Sequence, residues 1–164
     1  MKELLQQYAG YNIWATQKIV DALAALTDEQ AHLEIESSFS SIFKTVLHMW
    51  DAESIWWQRV KLAETINIPS ENFTDNFTAL QLKLIEQQKQ WAEWITNSVE
   101  HQLLHVFAYQ NSKREQFKQP VYQMLLHLFN HGTYHRGQLI TLMRHAGVSK
   151  IPGTDFIAYT RLKK

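Results

Sequence analysis

Apolar residues return every three or four positions along four stretches of this chain, and turn-forming residues separate them. Over residues 2–26, Leu4, Tyr8, Tyr11, Ala15, Ile19, Ala22 and Leu26 keep that spacing, which gathers them on one face of a helix. Thr27-Asp28 follows as a stop. A second helix is predicted over residues 40–63, capped by Ser40 and striped by Ile42, Val46, Met49, Trp56 and Val60. Glu53 falls inside that stripe, an unusual place for a carboxylate. Pro69 and the polar stretch 70–76 mark the next connection. A third helix spans residues 78–97, where Thr78 and Gln81 have capping-box spacing and Leu80, Leu84, Trp91, Trp94 and Ile95 are the buried positions.

The helical period is then lost. Residues 106–109 and 115–118 are expected to pair as a small hairpin around Gln110-Asn111-Ser112. Pro120 suits the first turn of a fourth helix, since its missing N–H would be an orphan there anyway. That helix runs to about residue 146, with Gly147 as its stop. The tail, 151–164, adds a short helix over one end. Four helices of about 20 residues joined by short links predict an all-α, four-helix bundle formed as a single domain over residues 1–164.

Composition narrows the function classes. Lys plus Arg and Asp plus Glu number 16 each, for a formal net charge of zero. A nucleic-acid binder would carry a basic excess or stripe, so that class is set aside. The chain has no cysteine, which removes disulfides, thiolate metal sites and a cysteine nucleophile together. Its first residues lack a signal peptide's basic start and apolar run, and no apolar stretch approaches the ~20 residues of a membrane span. A soluble cytoplasmic protein is expected.

Histidine changes the picture. The chain holds eight, and four of them lie between residues 127 and 145. His127, His131 and His135 are spaced four apart on the fourth helix, one turn above another on a single face. Met124, Gln138 and Leu142 extend that face. Imidazoles at i and i+4 can share a metal, as in the helical H-x-x-x-H of zinc proteases. Here the intervening residues are Gly132, Thr133 and Tyr134, with no glutamate beside the first histidine, so this is not a protease motif. Core histidines held by backbone carbonyls are the plain alternative for such a pair. A third histidine on another helix shifts the balance: His48 lies about 120° from the second helix's apolar stripe, beside Thr45, Ala52 and Ile55. His127 is either a further ligand or a residue packed behind the ligands, the second being preferred. Three neutral imidazoles suit Zn, Ni, Cu or Fe(II) better than Mg or Ca. They leave coordination positions open, as catalytic sites do.

The residues also carry a resemblance. His127 to Gln138 reads H-L-F-N-H-G-T-Y-H-R-G-Q, followed by Leu142, Arg144 and Gly147. Together with the His48 to Arg59 segment, the opening Tyr11-Asn12-Ile13-Trp14-Ala15 and the tail Pro152, Asp155 and Tyr159, this resembles the DinB/YfiT-like metalloenzyme superfamily over nearly the whole chain. The resemblance implies a bundle with up-down-down-up connections, often dimeric, binding nickel or zinc through His48, His131 and His135. Arg136 and Gln138 belong to the motif but receive no chemistry. Arg136 points off the ligand face and is expected to be an ion-pair or interface residue. Gly132 and Gly137 cost the helix up to ~1 kcal/mol each against alanine, which close approach of a neighbour or a local kink would explain.

The resemblance further implies thiol-dependent chemistry, because characterised members are bacillithiol or mycothiol S-transferases and a thiol-dependent isomerase. With no cysteine in the chain, the thiol must be a low-molecular-weight cosubstrate. The leading expectation is metal-activated thiol transfer to a small electrophile by a homodimer. The alternatives are a metal-dependent hydrolase using bound water, with Glu53 as base or as a structurally paired residue, and a non-catalytic metal-binding stress-response protein. Trp50, Trp56 and Trp57 would wall the pocket of an enzyme, or else be plain core.

Overall fold

The structure is a computed structural model and describes residues 1–74, 76–111 and 113–162. Four long helices make an all-α bundle: α1 (Lys2–Leu23), α3 (Ile42–Val60), α4 (Phe77–Asn97) and α6 (Val121–His145). Three short helices join them, α2 (Asp28–His32), α5 (Glu100–Leu104) and α7 (Phe156–Arg161), with one 3-10 turn at Pro69–Asn72. Each of α1 and α3 packs against both α4 and α6.

Helix ends show where local chemistry outweighs periodicity. The first helix ends at Leu23, not at residue 26. Thr27 begins a new helix instead of only stopping the old one: its Oγ1 accepts from the Gln30 N–H at 3.2 Å, while Gln30 Oε1 accepts from the Thr27 N–H at 3.0 Å. That reciprocal pair satisfies two orphan donors and makes so short a helix stable. The cap of α3 is Ser41 rather than Ser40, accepting from the Lys44 N–H at 3.1 Å. Ser40 is occupied by the Lys44 ammonium at 2.9 Å. Asn76, not Thr78, caps α4, accepting from the Ala79 N–H at 3.0 Å. The α3 helix stops at Val60, short of residue 63, because Leu62 takes a left-handed φ of 55°.

The expected hairpin is present, its first strand one residue longer and its second beginning one residue later and ending two later: β1 (Val106–Gln110) pairs antiparallel with β2 (Gln116–Pro120). Of its three expected turn residues, Ser112 lies outside the described residues, as do Lys163 and Lys164 of the tail. Pro120 ends β2 and caps α6 just before its first turn. Gly147 closes α6 at φ 86°, with the Val148 N–H donating to Met143 O at 2.9 Å, a left-handed stop that favours glycine.

A polar layer divides the core. One apolar cluster gathers Ile19, Val46, Met49, Leu84 and Leu142; another gathers Leu5, Trp91, Ile95, Met124 and Phe129. Between them every long helix contributes a buried polar side chain: Asn12 and Thr16 from α1, Glu53 from α3, Gln88 from α4 and Arg136 from α6. Along the chain, α1 and α6 run from the Trp91 cluster to the Leu84 cluster, and α3 and α4 run the opposite way. On α1 the buried residues are Leu5, Ala9, Tyr11, Asn12, Ala15, Thr16, Ile19 and Leu23, and the expected Leu4 stands 51% exposed. Tyr11, Ala15 and Ile19 are buried as expected, while the ends of the stripe fall on Leu5 and Leu23, and two polar residues, Asn12 and Thr16, share the buried face.

Candidate metal centre

The histidines of α3 and α6 meet at the seam between those helices. His131 Nε2 lies 3.1 Å from His48 Nε2 and 2.9 Å from His135 Nε2. One ligand atom from each of the three residues falls within 4.8 Å of the others. Spacing does this on α6, where i and i+4 share a face; on α3, His48 escapes the apolar stripe and is left pointing across the seam. His135 is buried, and His48 and His131 are half-buried. No Asp or Glu joins the group among the described residues.

Proton counting tests whether a cation fits. Gln138 Oε1 faces His135 Nδ1 at 2.7 Å. A side-chain carbonyl oxygen can only accept, so the His135 proton sits on Nδ1 and its Nε2 presents a lone pair to the cluster. A single proton on His131 Nε2 can serve only one of its two close contacts. Lone pairs therefore converge, and protonating the rings is disfavoured. Burial, followed by the neighbouring histidine, lowers the His48 pKa to about 4. His131 falls to about 4 from burial first and then from His135, His48 and His127. His135 is lowered by burial, with the Gln138 contact working against that shift. Three neutral, converging imidazoles are the form a divalent transition metal requires, and the site fits one.

Several residues around the cluster were not legible beforehand. Phe39, from the loop before α3, stacks on the His48 ring at 4.0 Å and meets His135 edge-on at 5.6 Å. No periodic signal marks a loop residue for that role. Gln138 was placed on the ligand face by its spacing, but only its side-chain conformation reveals the contact with His135. Its Nε2 donates onward to Tyr134 Oη at 3.1 Å and Ser38 Oγ at 3.4 Å.

His127 stands outside the cluster, exposed, with its ring 5.9 Å from His131 and 5.8 Å from Trp56. Of the three tryptophans considered as walls, only Trp56 reaches this row of rings. Trp50 packs on Phe73 and Trp57 on Trp91.

Glu53 and Arg136 sit behind the cluster rather than in it. Glu53 is 2% exposed, and its Oε1 accepts from Gln88 Nε2 at 2.7 Å and Asn12 Nδ2 at 3.4 Å. Burial raises its pKa to about 7, while those hydrogen bonds and the Arg136 charge work in the other direction. Arg136 is also 2% exposed, so of its two expected roles the interface one is corrected, and its charge faces Glu53 through Asn12 instead of pairing directly. It donates to Asn12 Oδ1 at 2.6 Å, to Thr16 Oγ1 at 3.3 Å and to Thr133 Oγ1 at 2.9 Å. Asn12 thus bridges the guanidinium to the carboxylate. Gly132 makes room for that bridge, since a Cβ there would lie 2.8 Å from Asn12 Oδ1.

A helical bundle whose facing helices converge three histidines belongs to the class of bundle proteins that can hold a divalent metal between helices. Residues 1–163 match the DinB family, and the chain belongs to it. Protein DinB of Bacillus subtilis (strain 168) is 31% identical to it over 170 residues, covering 94% of this chain and 92% of the relative.

Proposed function

We propose that the chain binds a divalent transition metal, nickel or zinc, through Nε2 of His48, His131 and His135, and that it is a metal-dependent enzyme acting on a low-molecular-weight thiol and a small electrophile. It works as a homodimer in the cytoplasm, without nucleic acid or membrane. The observation that carries the reading is the convergence of three imidazole nitrogens at 2.9 and 3.1 Å with no carboxylate among them.

When bound, the ion supplies Lewis acidity that makes a thiol or water available as a nucleophile near neutral pH. The burial of Glu53 weighs toward the thiol. A hydrolase would want a carboxylate or imidazole base beside its water. Glu53, the carboxylate considered for that task, is sealed in the core and already accepts from Gln88 and Asn12. A thiol, whose unperturbed pKa is about 8.5 against about 15.7 for water, has less need of one. Phe39 shields one side of the histidines from water, and Gln138 fixes the tautomer of His135.

The test is metal content by elemental analysis of tag-free protein, alongside His48→Ala, His131→Ala and His135→Ala. Wild type is expected to hold about one nickel or zinc per chain, and each variant to lose it. Metal-dependent consumption of a thiol in the presence of a chlorinated aromatic then tests the chemistry. Wild type that stays empty after loading with zinc, nickel and iron would sink the reading.

A further inference from the structure

Beyond the histidines, the same face of α3 continues through Ala52 and Ile55 to Arg59, at spacings of four, three and four residues. There it opens on a cavity of about 570 Å³ between the end of α3 and β1. Its lining is mostly apolar around Arg59, with Glu64, Gln110 and Asn111 as the other polar residues. Leu62, Ile66 and Ile68 line it while standing 71%, 37% and 37% exposed. Leu62 is also held in a left-handed backbone conformation, φ 55°, that a leucine rarely adopts. Greasy residues kept open to water around a concavity mark a binding surface more often than a packing fault.

Among the described residues, Arg59 is a cation without a counter-charge. Its guanidinium lies 4.7 Å over the Trp56 ring and 5.4 Å from the Tyr109 ring. Among the described residues, Nη2 donates to Gln110 O at 3.0 Å, Nε is buried without a partner, and Nη1 makes no hydrogen bond. No carboxylate lies within ion-pair distance of it among the described residues. A guanidinium has five N–H donors in a fork matched to a carboxylate, and here one donation is made. The aromatic rings offset part of the cost of half-burying the charge, but they supply no acceptor.

We propose that this cavity binds the carboxylate end of a small amphipathic molecule, anchored by Arg59, whose apolar body lies along α3 toward the histidine cluster. The guanidinium fork of Arg59 matches a single carboxylate. Exposed Glu64 also lines the cavity, and its charge opposes a doubly charged phosphate more than a single carboxylate. The reach is that of a small molecule: eleven residues from His48 to Arg59 rise about 16 Å, and helical side chains lean back toward the N-terminus. His127 and Trp56 continue the path, 5.8 Å apart. The proposal deepens the thiol-enzyme reading by naming a substrate class and rests on it only for which end of the molecule reacts.

The test is isothermal titration of metal-free, full-length protein with octanoate and with its uncharged counterpart, octanamide. Octanoate is expected to bind roughly tenfold more tightly than octanamide, and Arg59→Gln to remove that preference while leaving octanamide unchanged. Ile66→Glu, at an exposed position that folding tolerates, should also weaken octanoate several-fold. The protein titrated holds no metal, so failure of the metal reading would not touch this result. Equal affinity for the two ligands, no loss in folded Arg59→Gln, or no binding up to about 10 mM would each overturn the proposal.

Discussion

An imidazole has two nitrogens, and what one of them touches decides what the other offers. In His135, Nδ1 is engaged by Gln138 Oε1 at 2.7 Å and Nε2 is turned to the cluster. Gln138→Ala removes that acceptor, freeing the ring to rotate or change tautomer. Zinc affinity, measured by competition with a chelating dye, is expected to fall 10–100-fold. Gln138→Glu keeps the acceptor and should retain most of the affinity. If Gln138→Ala binds zinc like wild type, Gln138 only packs against His135. The spacing of three from His135 to Gln138 put this residue on the right face in the sequence. That it turns its oxygen inward depends on Tyr134 and Ser38 taking its nitrogen, which no local pattern records.

Two glycines in α6 look alike in the sequence, each a weak point in a helix, and tertiary structure gives them opposite meanings. A methyl on Gly132 would meet Asn12 Oδ1 at 2.8 Å and Arg136 Nη1 at 3.1 Å. Both atoms are held by the bridge to Glu53 and cannot retreat without breaking it. Gly132→Ala is therefore expected to destabilise the protein by roughly 1–3 kcal/mol. At Gly137 nothing lies within 4 Å of the added methyl, so Gly137→Ala should stabilise by up to ~1 kcal/mol through helix propensity. Urea denaturation of the two variants checks the pair, and a shift of the same sign in both would contradict the account. The helix caps teach the same lesson. Ser40 and Ser41, or Asn76 and Thr78, are chemically fit for the same task, and the choice falls to whichever side chain the incoming loop leaves free.

For the whole molecule, the polar layer couples stability to pH. The raised pKa of Glu53 means the fold prefers the neutral carboxyl. Its contribution is full below the unfolded value of 4.5 and is lost as pH rises through about 7. His48 and His131 act in the opposite sense. Their pKa values fall from 6.5 to about 4, so their contribution is present above 6.5 and lost as pH falls through about 4. Glu53→Gln isolates the carboxyl, because the histidine terms cancel between variant and wild type. Stability of the variant relative to wild type should rise with pH by roughly 3 kcal/mol across that window and then level off. Urea titrations of metal-free protein at several pH values read it directly. A difference that stays flat means that Glu53 ionises normally inside the fold.

The sequence by itself determined the helical class, the four long helices, the hairpin, the Gly147 stop and the gathering of His127, His131 and His135 on one face. Each follows from local periodicity or local turn chemistry. It also marked Glu53 as a carboxylate on a buried stripe. Tertiary structure decided the rest: that His48 meets His131 and His135 while His127 stays outside, that Phe39 covers the cluster, and that Arg136 points into the core. These depend on side chains from different helices arriving at one place. The Asn12 bridge shows why. Asn12 and Arg136 are 124 residues apart, and a buried charge finds its partner by packing, which the spacing of neighbours along a chain does not encode.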